Sequence, residues 1–274
     1  MPVLFKKRNE LRSNQKFLDA LTAKSRCFSC SRGIIMKKII FPVIFCITAF
    51  PLFADYNSAL KLFTEGKYDE SLKIIGEELD ASKDMTADSP NYKLRFLAGH
   101  NHWKMKRYEN ALSHLGRCLQ IRPNDTNALI DVGLVYLEMK KYTDAVRVGQ
   151  KIAEKEKNNA MAYYIIGKAR YGLGNFWGAK ELLEKATSAD FEMYAAWNEL
   201  GKTFMMLKKY PEAEIAFATA YSVNPSSPEI MNNFAASYFA QGKKDKAAEM
   251  IKKAAEADKT NPAIQANLGK FTAQ

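Results

Sequence analysis

From about residue 55 onward, large and small side chains recur in fixed columns rather than along one long amphipathic run. Gly99, Gly133, Gly167, Gly201, Ala235 and Gly269 stand 34 residues apart. Ala111, Ala145, Ala179, Ala213 and Ala247 form a second column in the same phase. Tyr108, Tyr142, Phe176 and Tyr210 form a third, which Lys244 continues. Three columns in one phase mark an internal repeat, a unit too small to bury its own apolar face that must stack on its neighbours. A weaker first copy holds Gly66-Lys67-Tyr68-Asp69-Glu70-Ser71-Leu72, and its Tyr68 precedes Tyr108 by 40 residues, the excess falling in the polar stretch 80–91. The copies then span about 55–90, 91–125, 126–159, 160–193, 194–227 and 228–261, with a closing half-unit at 262–274.

Within a copy the period is helical. Trp197, Leu200, Gly201 and Phe204 fall on one stripe of a helix, and Ala213, Phe217 and Ala220 on a stripe of a second. Pro211 suits a first helical turn and Pro225 cannot extend the second helix. Ser227-Pro228 is a cap followed by a start, repeated at Ser89-Pro90 and Asn261-Pro262. The short link Leu207-Lys208-Lys209-Tyr210 allows only an antiparallel turn. Gly201 and Ala213 let the paired backbones approach to about 8 Å. The fold class is therefore all-α, built from helix pairs.

The run Trp197-x2-Leu200-Gly201-x2-Phe204, then Ala213-x3-Phe217 and Pro225, resembles the tetratricopeptide repeat over about residues 55–274. The resemblance implies a right-handed α-solenoid of about six helix-turn-helix repeats plus a C-terminal capping helix. It also implies a non-catalytic scaffold or adaptor that holds a protein or peptide on a concave wall made by the first helix of each pair. Carried over copy by copy, that wall comprises Phe96, His100 and Trp103, then Ile130, Leu134 and Leu137. It goes on through Tyr164, Lys168 and Tyr171, then Asn198, Lys202 and Met205, then Asn232, Ala236 and Phe239. The groove is expected to be apolar and aromatic toward the N-terminal end and more polar and basic toward the fifth copy. The carboxylate clamp of some members, two Lys, an Arg and two Asn, is not reproduced: Ile130 with Leu134, then Tyr164 with Lys168, stand in its place. An extended or helical segment with apolar anchors fits better. Self-association through the same lining is a second expectation. A carrier for a small apolar ligand is the alternative from another class.

Charge changes this picture little. The chain carries 41 Lys and Arg against 30 Asp and Glu, a formal +11. Ten basic and two acidic residues lie in 1–38, so residues 55–274 hold only +3. A basic body gripping nucleic acid is not described. Three of the four cysteines, Cys27, Cys30 and Cys46, precede residue 55, leaving Cys118 without a disulfide partner in the repeats.

The N-terminal segment reads as an address. Met36-Lys37-Lys38, the apolar residues 39–53 and Ala54 match a bacterial secretory signal peptide over 36–54 with cleavage after Ala54. This predicts an exported, periplasmic protein, with membrane attachment only through an uncleaved signal in the inner membrane, or a lipid anchor, as the alternative. The 16 residues 39–54, with Pro42 and Pro51, fall short of the roughly 20 a spanning helix needs. Residues 1–35 read as a basic extension upstream of a start at Met36. Cys27-Phe28-Ser29-Cys30 lacks a second pair for zinc, and Cys46 follows Phe45 where a lipid-attachment signal needs a small residue.

Catalytic chemistry finds no foothold. No phosphate loop, nucleophile elbow or His-Glu-x-x-His helix occurs. His114 and Cys118, four apart, make half a metal site at most, and neither metal nor cofactor is expected.

Overall fold

A computed structural model describes residues 51–81 and 90–273. The expected basic extension, the cysteine pair and most of the signal segment lie outside them. Among the described residues there are thirteen helices and no strand. They run α1 (Pro51–Thr64), α2 (Tyr68–Ala81), α3 (Pro90–Lys104), α4 (Tyr108–Ile121), α5 (Thr126–Glu138), α6 (Tyr142–Lys155) and α7 (Ala160–Gly172). They continue α8 (Phe176–Ala189), α9 (Tyr194–Met206), α10 (Tyr210–Val223), α11 (Pro228–Ala240), α12 (Lys244–Ala257) and α13 (Pro262–Thr272). Ala54, the expected cleavage point, falls inside α1.

Each helix packs on the next, and the tightest partners are the two helices of one copy, such as α7 with α8 and α9 with α10. Close approach depends on the small-residue column. A Cβ at Gly201 would stand 2.5 Å from the Phe217 ring, and one at Gly167 would stand 2.8 Å from Leu183. Gly269, on the unpaired α13, meets nothing. First helices also touch across copies: α1 with α3, α5 with α7, α7 with α9, α9 with α11 and α11 with α13. No two second helices pack to that extent. The stack therefore closes on the first-helix side and opens on the second-helix side, the α-solenoid of tetratricopeptide type.

The turns follow one design. Gly66, Lys106, Lys140, Gly174, Lys208 and Gly242 all carry positive φ, between 57° and 78°. At each, the next residue's N–H reaches back to close the helix end, as Arg107 to the His102 carbonyl and Lys209 to the Phe204 carbonyl. Helix starts are capped by Asp125, Asn159, Asn175, Ser227 and Asn261, whose side chains accept backbone N–H groups.

Candidate functional site

The inner wall is built from the first helices, and its polar contacts obey a spacing rule. His100 pairs with Asp131, Lys168 with Glu199 and Asn198 with Glu229, each 31 residues on. Asn198 with Asn233, and Asn232 with Asn267, are 35 apart. Both offsets lie close to one repeat length. A side chain on one first helix thus meets a nearby level of the next, and the wall is laced from copy to copy.

The N-terminal part is aromatic. His100 lies 4.7 Å from Phe96 edge-on, 6.2 Å from Trp103 and 6.3 Å from Phe63 of α1, ring centre to ring centre. Asp131 Oδ2 stands 2.8 Å from His100 Nε2, off the line of a hydrogen bond. The imidazole is thus ringed by π faces with a carboxylate behind it.

The central part is charged. Glu199 is 4% exposed, and the ammonium groups of Lys168 and Lys202 lie 3.6 and 3.0 Å from it. Lys168 donates to the Tyr164 hydroxyl at 3.2 Å, and Lys202 lies over the Tyr171 ring at 5.4 Å. Burial works against charge on Lys168, yet Tyr164 and Glu199 hold its ammonium well above the usual lysine range. Burial raises both tyrosines, so they stay neutral phenols. Two cations share one buried carboxylate beside tyrosine faces, Glu138 also acts on Lys168, and Glu229 is held by Asn198, so the stretch offers polar and charged partners of both signs.

The expected lining divides in two. Phe96, His100, Trp103, Ile130, Leu134, Lys168, Tyr171, Lys202, Met205, Asn232, Ala236 and Phe239 are half-buried along the first helices. Leu137, Tyr164 and Asn198 are instead buried, at 7%, 8% and 6% exposure. Leu137 and Tyr164 join the apolar core, and Asn198 spends its amide on Glu229 and Asn233. Asn232 likewise accepts from Asn267. Phe239 stacks on Phe271 of α13 at 4.5 Å. Asp131, Glu199 and Phe63 were not anticipated. The offset of 31 residues from His100 and Lys168 was the signal that would have found the two acids.

His114 and Cys118 do not point to a metal centre. Cys118 is buried, donates weakly to the Tyr92 carbonyl, and has its thiol pushed up to about 12 by burial. His114 stacks on His102 at 5.3 Å, and burial, followed by His102 and Arg95, lowers it to about 4. Among the described residues no three His, Cys, Asp or Glu side chains gather where a metal could be held. No helix among them is long and apolar enough to cross a membrane.

Comparison with known proteins places this geometry. The tetratricopeptide repeat family matches residues 102–169, 164–228 and 209–262, more than half of the chain. Hsp70-Hsp90 organizing protein 1 of Glycine max is 24% identical over 200 residues, covering 60% of this chain and 35% of that protein. RNA polymerase II-associated protein 3 of Xenopus laevis is 25% identical over 185 residues, covering 62% and 28%. The chain thus spans about a third of the length of these curated relatives. A tetratricopeptide repeat protein from Parabacteroides merdae superposes with a TM-score of 0.67 at 17% identity, over 83% of this chain and 86% of that one. A thermophilic repeat protein of Thermus thermophilus gives 0.58 at 19% identity, over 66% and 98%. These likenesses establish the fold. The chain belongs to the tetratricopeptide repeat family, whose members mediate protein–protein interaction.

Proposed function

We propose that this chain is a non-catalytic scaffold or adaptor of the bacterial cell envelope that holds a segment of another protein along the inner wall of its first helices. The observation that carries this reading is the graded wall itself. Phe63, Phe96 and Trp103 around His100 offer apolar seats, and Lys168 and Lys202 on Glu199 add a charged, hydrogen-bonding stretch about two copies further on. A segment with an aromatic or aliphatic anchor and a polar residue toward its far end fits that order. The Hsp70-Hsp90 organizing proteins among the relatives are consistent with a role in assembling other proteins. The envelope assignment rests on Met36-Lys37-Lys38 and the apolar residues 39–53.

Photocrosslinking tests the wall. A benzophenone side chain placed at Leu134 or Met205, both half-buried on first helices, should capture a polypeptide from an envelope extract. The same group at Glu249, on a second helix, should not. Capture from Glu249 alone, or no capture together with lipid recovered by solvent extraction, would defeat the scaffold reading. N-terminal sequencing of the protein from its source tests the compartment: a first residue at Asp55 supports export, and an intact Met1 or Met36 start argues against signal cleavage.

A further inference from the structure

One column of the second helices varies widely in side-chain size. Three residues beyond the column alanine they carry His114, Val148, Leu182, Ala216 and Met250. Copy five therefore has a methyl where its counterparts have a large side chain. The space lies between α8 and α10 as a groove of about 320 Å³, floored by Trp197, Leu200 and Phe204. That volume lies at the lower end of the roughly 300–1,000 Å³ typical of ligand sites.

Two further departures from the repeat coincide there. Ile215 lines the groove and is 66% exposed, whereas its column otherwise reads Ser113, Arg147, Glu181 and Glu249. Phe191 is 62% exposed in a column of Pro123, Lys157, Pro225 and Lys259, and it packs edge-on to Trp197 at 5.4 Å. The Trp197 indole donates to the Phe191 carbonyl at 2.9 Å, which fixes the ring at the floor. Large exposed side chains at positions that are polar or prolyl elsewhere mark a contact surface.

The rim has one sign. Glu184 and Glu212 line the groove and no lysine or arginine does. Their ion pairs, Lys180 to Glu184 at 2.9 Å and Lys209 to Glu212 at 4.0 Å, are partly exposed surface pairs that exchange readily for an incoming cation.

We propose that this outer groove docks a basic amphipathic segment of a partner protein. A leucine- or phenylalanine-sized side chain sits over Trp197 in the space beside Ala216, and flanking Lys or Arg side chains pair with Glu184 and Glu212. The site lies on the second-helix face and is independent of the inner wall.

The test is calorimetric titration of the full 274-residue chain with a synthetic amphipathic helix whose apolar face is leucine and whose polar face is lysine, and with its glutamate counterpart. The lysine peptide should bind at least tenfold more tightly than the glutamate one. Ala216→Leu, which restores the side chain of the Leu182 column, should weaken the lysine peptide at least tenfold, and because Ala216 is itself buried the variant's melting temperature is measured alongside. Ile215→Asp, at an exposed position, should do the same, so a folding defect in one variant does not decide the matter. Glu184→Gln with Glu212→Gln should weaken it severalfold and flatten its salt dependence. Equal binding of both peptides, or undiminished lysine-peptide binding to Ala216→Leu and Ile215→Asp, overturns the proposal. So does a homodimer in sedimentation that Ala216→Leu dissociates, because the occupant would then be a second copy.

Discussion

The second copy and the fifth share a backbone design and differ in what fills it. In copy five Trp197, Phe204 and Ala216 occupy the columns that in copy two hold Arg95, His102 and His114. The C-terminal copies consequently share one apolar cluster that runs from Leu129 to Phe271. The N-terminal copies are held by three smaller clusters. Between these sit buried Ser71, Asn91 and Asn101, where Asn101 donates to Ser71 at 3.1 Å and Ser71 to the Ala59 carbonyl at 2.8 Å. Arg95 Nε, His102 Nδ1 and His114 Nδ1 are buried without a hydrogen-bond partner among the described residues. The junction of α4 with α5 is also the thinnest between copies. Repeat phase therefore decides where helices go, and the residue in each column decides how strongly neighbouring copies are coupled.

The largest expected effect tests that coupling. Phe217 is 1% exposed and fills the space over Gly201. Phe217→Ala should cost about 3–5 kcal/mol. Because its core is continuous, the loss should shift the unfolding of the whole C-terminal part. Leu115→Ala, in one of the small clusters, should cost about 2–5 kcal/mol and stay local. Denaturant unfolding followed separately by Trp103 and by Trp197, each in a chain whose other tryptophans are phenylalanine, distinguishes the two. Equal shifts of both signals by either variant would mean that the solenoid melts as one unit and that the polar interior of copy two uncouples nothing.

That contrast also marks how far the amino-acid order could be read. Helix pairs follow from spacing alone, since a stripe such as Trp197, Leu200, Gly201 and Phe204 has one geometric solution and recurs in phase. The inner wall was harder. Leu137, Tyr164 and Asn198 lie on first helices as expected, yet stacking buries them, because which flank of a helix faces the groove depends on the angle between copies. Glu199 and Asp131 belong to no apolar or small column. Their roles exist only between copies, where Lys168 and His100 reach them. Among the turn lysines, Lys106, Lys140 and Lys208 are exposed. Their left-handed backbone was legible only by noticing that Gly66, Gly174 and Gly242 hold the equivalent place.

A smaller effect sharpens the comparison through pH. His114 is held neutral to about 4 in the folded chain, burial being the main cause, and an unfolded histidine titrates near 6.5. The unfolded chain therefore binds more protons between these values, so stability rises with pH across that window and falls on acidification from about 6.5 toward 4. The ring is only partly buried and solvent screens it, so the expected loss is about 1–2 kcal/mol. The Trp103 transition should weaken on acidification and the Trp197 transition much less. His114→Leu, the residue type of the Leu182 column, should remove most of the difference. A Trp103 midpoint with the same pH slope in parent and variant would show that the histidine pair does not set the weakness of the N-terminal copies.

The smallest effects isolate the halves without touching either core. Lys106, Lys140 and Lys208 hold φ at 57° or 58°, a conformation that costs an L-residue roughly 1–2 kcal/mol and glycine nearly nothing. Replacement by glycine relieves that cost but widens the unfolded ensemble, which takes back about 0.4–1 kcal/mol. The net gain should be about 0.5–1 kcal/mol per site. Since the strain is the same at each turn, any difference in readout comes from the cores. Lys106→Gly, between α3 and α4, should raise the midpoint seen by Trp103 alone. Lys208→Gly, between α9 and α10, should raise the one seen by Trp197, and its gain should spread through the continuous core. Gly174→Ala, at φ 77°, should lose stability by a similar amount in the Trp197 signal. If Lys106→Gly moved both signals equally, the thin junction at α4 and α5 would be transmitting stability in full, and the two halves would differ in composition but not in cooperativity.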